Sequence, residues 1–321
     1  MTAATPSIAM IFAAGRGERM RPLSDVIPKP ALDLPDGPVI SSSVRLAVAA
    51  GCRQIVVNAW HLADSMEAAL DGCGHPPGVD FRVSREKNLM DTAGGLALAR
   101  DRGLLGSEGA VLVLNGDGLV NLSLEHLFER HAVRDDLVTL GLLPHLDPVR
   151  WSRVLLDDDG LVSDILPPGR PDPSEAPFLY PGVMVVSRTA LDSLTATPHG
   201  VNQGLWAPAR EAGRLGGVVV TGHWREVGTP ADYLEATLHQ LQDIPRIHPS
   251  ALVHPGASLG AAFVGSGARI EADTVIGDAV VAEGATVRRG ARVFRSVLLG
   301  AVEAAPGECV IDEFRAVPIP D

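Results

Sequence analysis

The chain has 321 residues, 46% of them hydrophobic, with 34 glycines, 25 prolines and few aromatics. That length suits two domains better than one, and the composition supplies a large core built mainly from Ala, Val, Leu and Ile. A formal charge of −12 argues against a nucleic-acid binder, which shows a basic face, but leaves a small anionic substrate open, because a phosphate site needs only a local cluster of donors and positive charge.

In chain order, the start MTAATPS has no basic segment ahead of a long apolar run, and Ile8 to Ala14 is too short for a leader core or a membrane span. Cys52, Cys73 and Cys309 lack pair spacing and read as reduced thiols. A cytoplasmic protein without membrane association is the expectation. Ile8–Ala13 reads as a buried strand running into a Gly-rich loop, residues 39–50 as a helix stopped at Gly51, and Gln54–Asn58 as a β-branched strand. Leu62–Leu70 is helical, Val79–Val83 a strand, Thr92–Arg102 a helix, and Ala110–Leu114 a strand leading into Asn115-Gly116-Asp117. Leu124–Ala132 and Leu137–Leu142 repeat the pattern, which predicts an α/β domain with a mostly parallel sheet. A more irregular, β-rich stretch follows, with a hairpin over Arg153–Leu156 and Leu161–Ile165, a Pro-rich loop over Pro167–Pro177 and a strand over Tyr180–Val186. Thr229–Leu241 reads as a helix with Thr229 as N-cap and Pro230 at its first position.

After Pro245 aliphatic residues recur at Ile247, Val253, Leu259, Val264, Ile270, Ile276 and, weakly, Ala282, in steps of six with one of five. That period predicts a left-handed parallel β-helix. The signal weakens after residue 287, where Arg288 and Phe294 take the next six-residue positions. The division expected is residues 1–243 for the α/β domain and 244–321 for the repeats.

The loop after the first strand has Gly15 and Gly17 among Arg16, Arg19, Arg21 and Lys29. A dinucleotide fingerprint needs a third glycine where Met20 stands, and no Walker A pattern is present. Glycines that admit backbone N–H groups, surrounded by cations, suit a phosphate cradle. Asp117 follows a strand, at the carboxyl edge where open α/β sheets bind ligands, and a carboxylate there suits Mg2+.

These residues carry a family resemblance. Ala14-Gly15-Arg16-Gly17-Glu18-Arg19-Met20-Arg21-Pro22-Leu23 followed by Pro28-Lys29-Pro30, then Asp91-Thr92-Ala93-Gly94-Gly95, Asn115-Gly116-Asp117 and Trp224-Arg225-Glu226-Val227-Gly228-Thr229-Pro230, resemble the motifs of the sugar-1-phosphate nucleotidyltransferases in family order. Among relatives the chain looks similar to mannose-1-phosphate guanylyltransferases and N-acetylmuramate-1-phosphate uridylyltransferases, many with a hexapeptide tail. The resemblance implies a Rossmann-like nucleotide-diphospho-sugar transferase fold and a reaction in which a sugar phosphate oxygen attacks the α-phosphorus of a nucleoside triphosphate, releasing pyrophosphate.

It places Arg19 on the leaving pyrophosphate, Lys29 between the two reacting phosphates, and Asp117 and Glu226 at Mg2+. It puts Ala13, Ala14, Gly15, Arg16 and Gly17 along the nucleotide, Glu86, Thr92, Ala93, Gly94 and Asn115 around the nucleoside, and Gly182 at the sugar. Two departures stand out. Glu226 replaces the family's aspartate, and Leu166-Pro167-Pro168 occupies the place of a Glu-Lys-Pro lysine motif, with Arg153 and Arg170 nearby. These departures leave a catalytically weak, nucleotide-sugar-binding regulatory paralogue as the alternative. An acyltransferase working through His248 or His254 is a third reading, although both read as turn residues beside Pro249 and Pro255. The tail is expected to join subunits into a homo-oligomer. Its removal from residue 246 is expected to leave a folded catalytic domain.

Overall fold

The computed structural model describes residues 5–74, 76–170, 172 and 176–319, so the Pro167–Pro177 loop lies partly outside the described residues, as do the first four residues of the chain. The chain divides into two compact units. One comprises Met1–Gly15, Ser42–Ala63 and Gly74–Trp224; the other comprises Arg16–Ser41, Asp64–Cys73 and Arg225–Asp321.

In the first unit, short, mostly hydrophobic runs form one large mixed sheet. Asp80–Arg85, Gln54–Ala59, Ile8–Phe12 and Val111–Asn115 lie side by side and parallel, as the alternation of strands and helices predicts. The strand expected over Tyr180–Val186 begins only at Val183. Pro181 has no N–H for a ladder, and Gly182 has a φ of 84°, a left-handed conformation that breaks the strand. Val183–Val186 then runs antiparallel between Val111–Asn115 and Val138–Pro144. Beyond it, Leu215–Val219 pairs parallel with Val138–Pro144, and the hairpin Arg153–Leu156 and Val162–Leu166 closes the far edge. The core is aliphatic, with Met10, Val56, Leu96, Val113, Leu140 and Met184 all fully buried.

In the second unit, the tail winds into a three-sided parallel β-helix. Each strand pairs with the one 17 residues on: Arg246 with Phe263, Leu252 with Arg269 and Ser258 with Val275. The inward aliphatic positions are Val264, Ile270, Ile276, Val281, Val287, Val293, Leu298, Ala304 and Val310. The weakening of the repeat after residue 287 is therefore corrected. One step of five recurs in every coil, so counting by six drifts one residue off the core, onto Ala282, Arg288 and Phe294, while the true series continues undiminished.

One face of this β-helix is apolar on both sides. Ala262 and Val264, like Ala279 and Val281, point inward, yet the alternate residues Phe263 and Val280, with Val297 and Leu299, are also buried. The helix Pro230–Leu241, with Tyr233, Leu234 and Ala236 buried, packs on the strands Ala262–Val264 and Ala279–Val281. The turn Leu23–Asp25 packs on Phe314–Val317.

This packing reverses the expectation for truncation. Cutting at residue 246 exposes the apolar face of Pro230–Leu241 and uncovers the turn beside Leu23. Losing the cover of several large side chains, at ~1.5–3 kcal/mol each, approaches the whole stability of a domain. The truncated chain is expected to aggregate or to melt at least ~10 °C below the full chain, read by circular dichroism.

Candidate functional site

The parallel strands of the first unit deliver several expected site residues to one edge. Phe12 and Asn115 are paired in register, and Gly116 N–H donates to Phe12 O (2.9 Å), so the Ala13–Gly15 segment and Asn115-Gly116-Asp117 leave neighbouring strands together. Asp117 is half-buried there. Ser43 Oγ donates to Asn115 O at 2.7 Å, and Asn115 N–H donates to Gly182 O at 2.8 Å. A Cβ on Gly182 would stand 2.6 Å from the Asn115 side chain. Glycine at 182 is thus required by Asn115 as well as by its own φ, and these two expected site residues lie against each other.

Asn58 and Glu86, at the ends of the adjacent strands, form a buried clamp. Ala13 N–H donates to Asn58 Oδ1 (2.8 Å), Asn58 Nδ2 donates to Glu86 Oε1 (2.9 Å), and Met90 N–H donates to Glu86 Oε2 (2.9 Å). Gly95 makes room for the clamp, since a Cβ there would lie 2.7 Å from Glu86 Oε1. The Glu86 carboxylate is thereby engaged with the protein at both oxygens, tying the first loop to the start of the helix Asp91–Asp101. Burial raises its pKa above the ordinary carboxylate range, against the opposing pull of its hydrogen bonds to Met90 and Asn58 and the charge of Arg102.

Replacing Glu86 with Ala strands two buried donors and is expected to cost about 2–4 kcal/mol of stability. Because the folded state holds the Glu86 proton more tightly than the unfolded chain, the carboxyl's contribution is full below the unfolded value and falls as pH rises through the folded one. Urea titrations should therefore show a larger parent–variant difference near about pH 4 than near about pH 7.

The helix Asp91–Asp101 uses its first N–H groups internally. Thr92 N–H donates to Asp91 Oδ1 (2.8 Å), while Ala93 and Gly94 N–H both donate to His199 O (3.0 and 3.1 Å). In the stretch that the resemblance puts around the nucleoside, these groups hold the His199 segment, and Val201 N–H in turn donates to Thr92 Oγ1 at 2.8 Å. The sequence reading also missed an aromatic pair, Trp151 and Trp224, edge to face at 5.2 Å with the Arg150 guanidinium 4.7 Å over Trp151. No local motif joins residues so far apart. Arg153 directs its guanidinium to the carbonyls of Pro167 and Arg170.

In the second unit, the cationic loop has a defined shape. Gly17 is left-handed (φ 62°) and caps a short turn over Glu18–Met20; Ser24 Oγ donates to Gly17 O at 2.8 Å; Met20 and Leu23 are fully buried. Arg16 lies 3.7 Å from Glu18, both exposed. Arg19 Nη2 donates to Glu226 Oε1 at 2.8 Å. Lys29, half-buried, opens a second turn between the buried Pro28 and Pro30. Glu226 precedes a locked helix start, where Thr229 Oγ1 accepts from Asp232 N–H (3.1 Å) and Asp232 Oδ2 accepts from Thr229 Oγ1 (2.9 Å) and Gly228 N–H (3.2 Å).

Among the described residues, no three or more His, Cys, Asp or Glu side chains gather into a metal cage. Asp117 in the first unit and Glu226 in the second are each a hard oxygen donor, the type that suits an ion such as Mg2+. His248 and His254 serve turns: His248 Nδ1 accepts from Ser250 N–H and His254 Nδ1 from Gly256 N–H. No helix among the described residues is long and apolar enough to cross a membrane.

Comparison with known proteins adds a separate line of observation. Residues 8–243 match the profile of a family described as Nucleotidyl transferase. The chain is 27% identical over 263 residues to mannose-1-phosphate guanylyltransferase catalytic subunit beta of Drosophila melanogaster, covering 78% of this chain and 70% of that protein. It is 26% identical over 250 residues to the protein of the same name from Xenopus tropicalis (77% and 69% covered). To mannose-1-phosphate guanylyltransferase 1 of Arabidopsis thaliana it is 25% identical over 310 residues, with 94% of this chain and 84% of the relative covered.

Proposed function

Because the chain belongs to the nucleotidyl transferase family, we propose that it joins a nucleoside triphosphate to a sugar 1-phosphate, giving a nucleotide sugar and pyrophosphate. The observation that carries this reading is the cationic loop with Arg19 and Lys29 on shaped turns, in a chain whose parallel strands bring Ala13–Gly15 and Asp117 to one sheet edge. Guanosine triphosphate and mannose 1-phosphate are the favoured pair, supported by the names of the relatives.

Two anions must meet in this reaction, so catalysis comes from neutralising and orienting charge. Lys29 bridges the attacking phosphate and the α-phosphate; Arg19 stabilises the leaving pyrophosphate; backbone N–H groups of Gly15 to Gly17 line the phosphates. Asp117 would supply a carboxylate ligand to a divalent ion such as Mg2+, Glu226 offers the same donor type, and the ion when bound would screen the phosphate charge. The attacking phosphate oxygen is already ionised near neutral pH and needs no general base. Glu86, engaged at both oxygens, supports the nucleoside side by holding Ala13 and Met90 in place.

The test is a matrix of GTP, UTP, ATP, CTP and dTTP against mannose, glucose, N-acetylglucosamine and N-acetylmuramic acid 1-phosphates with Mg2+, read as pyrophosphate release. GTP with mannose 1-phosphate is expected to exceed every other pair. A maximum at UTP with N-acetylmuramate 1-phosphate would move the assignment to the uridylyltransferases. Nucleotide-sugar binding without turnover would favour the regulatory reading.

We also propose that the tail joins copies of the chain. The strands Arg246–Ile247, Leu252–Val253 and Ser258–Leu259 end their three sheets, and Ile244, Ile247 and Leu252 are exposed by 64%, 47% and 61%. Such an end is a template for a second copy. Light scattering should show an oligomer that Ile247→Asp with Leu252→Asp dissociates; a monomeric parent would refute it.

A further inference from the structure

We propose that Glu226 holds Arg19 in the ligand-free protein, so that triphosphate and divalent cation each release the residue the other needs. This inference rests on the nucleotidyltransferase reading above. Its basis is an ion pair between residues 207 apart in sequence, Arg19 Nη2 to Glu226 Oε1 at 2.8 Å.

The backbone is held on both sides of the pair, for different reasons. Arg19 sits in a turn anchored by buried Met20 and by the Ser24-to-Gly17 hydrogen bond, so its backbone has little freedom. Glu226 folds back over Gly228, where a Cβ would stand 2.8 Å from Oε1, and Gly228 is tied by its N–H to the Asp232 cap. Side-chain exposure differs sharply, 66% for Arg19 against 16% for Glu226. The carboxylate is therefore the anchored partner, and the guanidinium is the arm that can leave. The reach is particular to glutamate, because aspartate is shorter by one C–C bond, about 1.5 Å.

While the pair is closed, Glu226 neutralises the charge that would meet the triphosphate, and Arg19 neutralises the charge that would meet a cation. When Glu226 turns to a divalent cation, Arg19 is released for phosphate; when Arg19 turns to phosphate, Glu226 gives up its guanidinium contact and its charge is exposed to the cation. Each event lowers the cost of the other, which is positive coupling between two ligands and is reciprocal by linkage.

The test is a double-mutant cycle on equilibrium binding of GTP, with UTP as second probe, to full-length parent, Glu226→Gln, Arg19→Gln and the double variant. Titrations are run in EDTA and, for the parent, also in Mg2+. In EDTA, Glu226→Gln is expected to bind the triphosphate about three- to tenfold tighter than the parent, the range of a partly exposed ion pair and a modest coupling. The gain should vanish when Arg19 is also replaced. An equal gain in the Arg19→Gln background would mean that Glu226 merely repels phosphate, and would overturn the pair's role, as would no gain in a variant whose melting curve matches the parent. A parent that binds neither GTP nor UTP even with Mg2+ would sink the nucleotidyltransferase reading together with the coupling. Binding by the parent without the Arg19-dependent gain sinks the coupling alone.

Discussion

Asp117→Ala is expected to lower turnover by at least about a hundred- to a thousandfold, the scale on which removing one preorganised electrostatic group acts, while leaving the melting curve close to that of the parent. Asp117 is half-buried just past the strand Val111–Asn115, which is held in the sheet by backbone pairing with Ile8–Phe12 and Val183–Val186. As a proposed ligand of the metal ion, its deletion would remove part of the protein's share of the coordination shell, so higher Mg2+ is expected to recover activity only in part. Asp117→Asn keeps the shape without the charge and should be nearly as inactive. A variant at parental turnover with ordinary Mg2+ would remove Asp117 from the site.

Lys29→Ala is expected to reduce kcat/KM about a hundredfold or more and to weaken binding of both substrates, since a cation shared by two anions contributes to each. Its backbone lies between buried Pro28 and Pro30 in a turn closed by the N–H groups of Ala31 and Leu32 on the carbonyls of Pro28 and Lys29, bonds that Ala at 29 retains. Lys29→Arg should recover only part of the rate, because a planar fork does not reproduce a compact ammonium. A loss confined to one substrate would show that Lys29 does not bridge the two phosphates.

What the sequence made legible divides along physical lines. The parallel half of the sheet was readable because buried strands are near-continuous hydrophobic runs, as in Ile8–Phe12, Gln54–Ala59 and Val111–Asn115. Leu215–Val219 was not, because Gly216 and Gly217 interrupt the run. The structure gives the reason: a Cβ on Gly216 would lie 1.9 Å from Asp136 Oδ2, and one on Gly217 2.6 Å from Leu156. The β-helix was readable by period, but a count of six cannot see a 17-residue coil, and the last coils were lost to that drift. In the candidate site, the glycines and cations of the loop carry local signatures. The Asn58–Glu86 clamp, the Gly182–Asn115 contact and the Arg19–Glu226 pair do not, because each joins residues brought together only by folding.

The central claim is that the chain transfers a nucleotidyl group to a phosphate oxygen of a sugar. It is tested most directly by 31P NMR of the purified full-length protein with GTP, mannose 1-phosphate and Mg2+, or with whichever pair the substrate matrix favours. The account predicts that the sugar phosphomonoester and γ-phosphate signals fall together while a nucleotide-sugar diphosphate pair and pyrophosphate rise in equal amounts. Release of orthophosphate with the sugar phosphate untouched, or an unchanged spectrum for every pair, would contradict it.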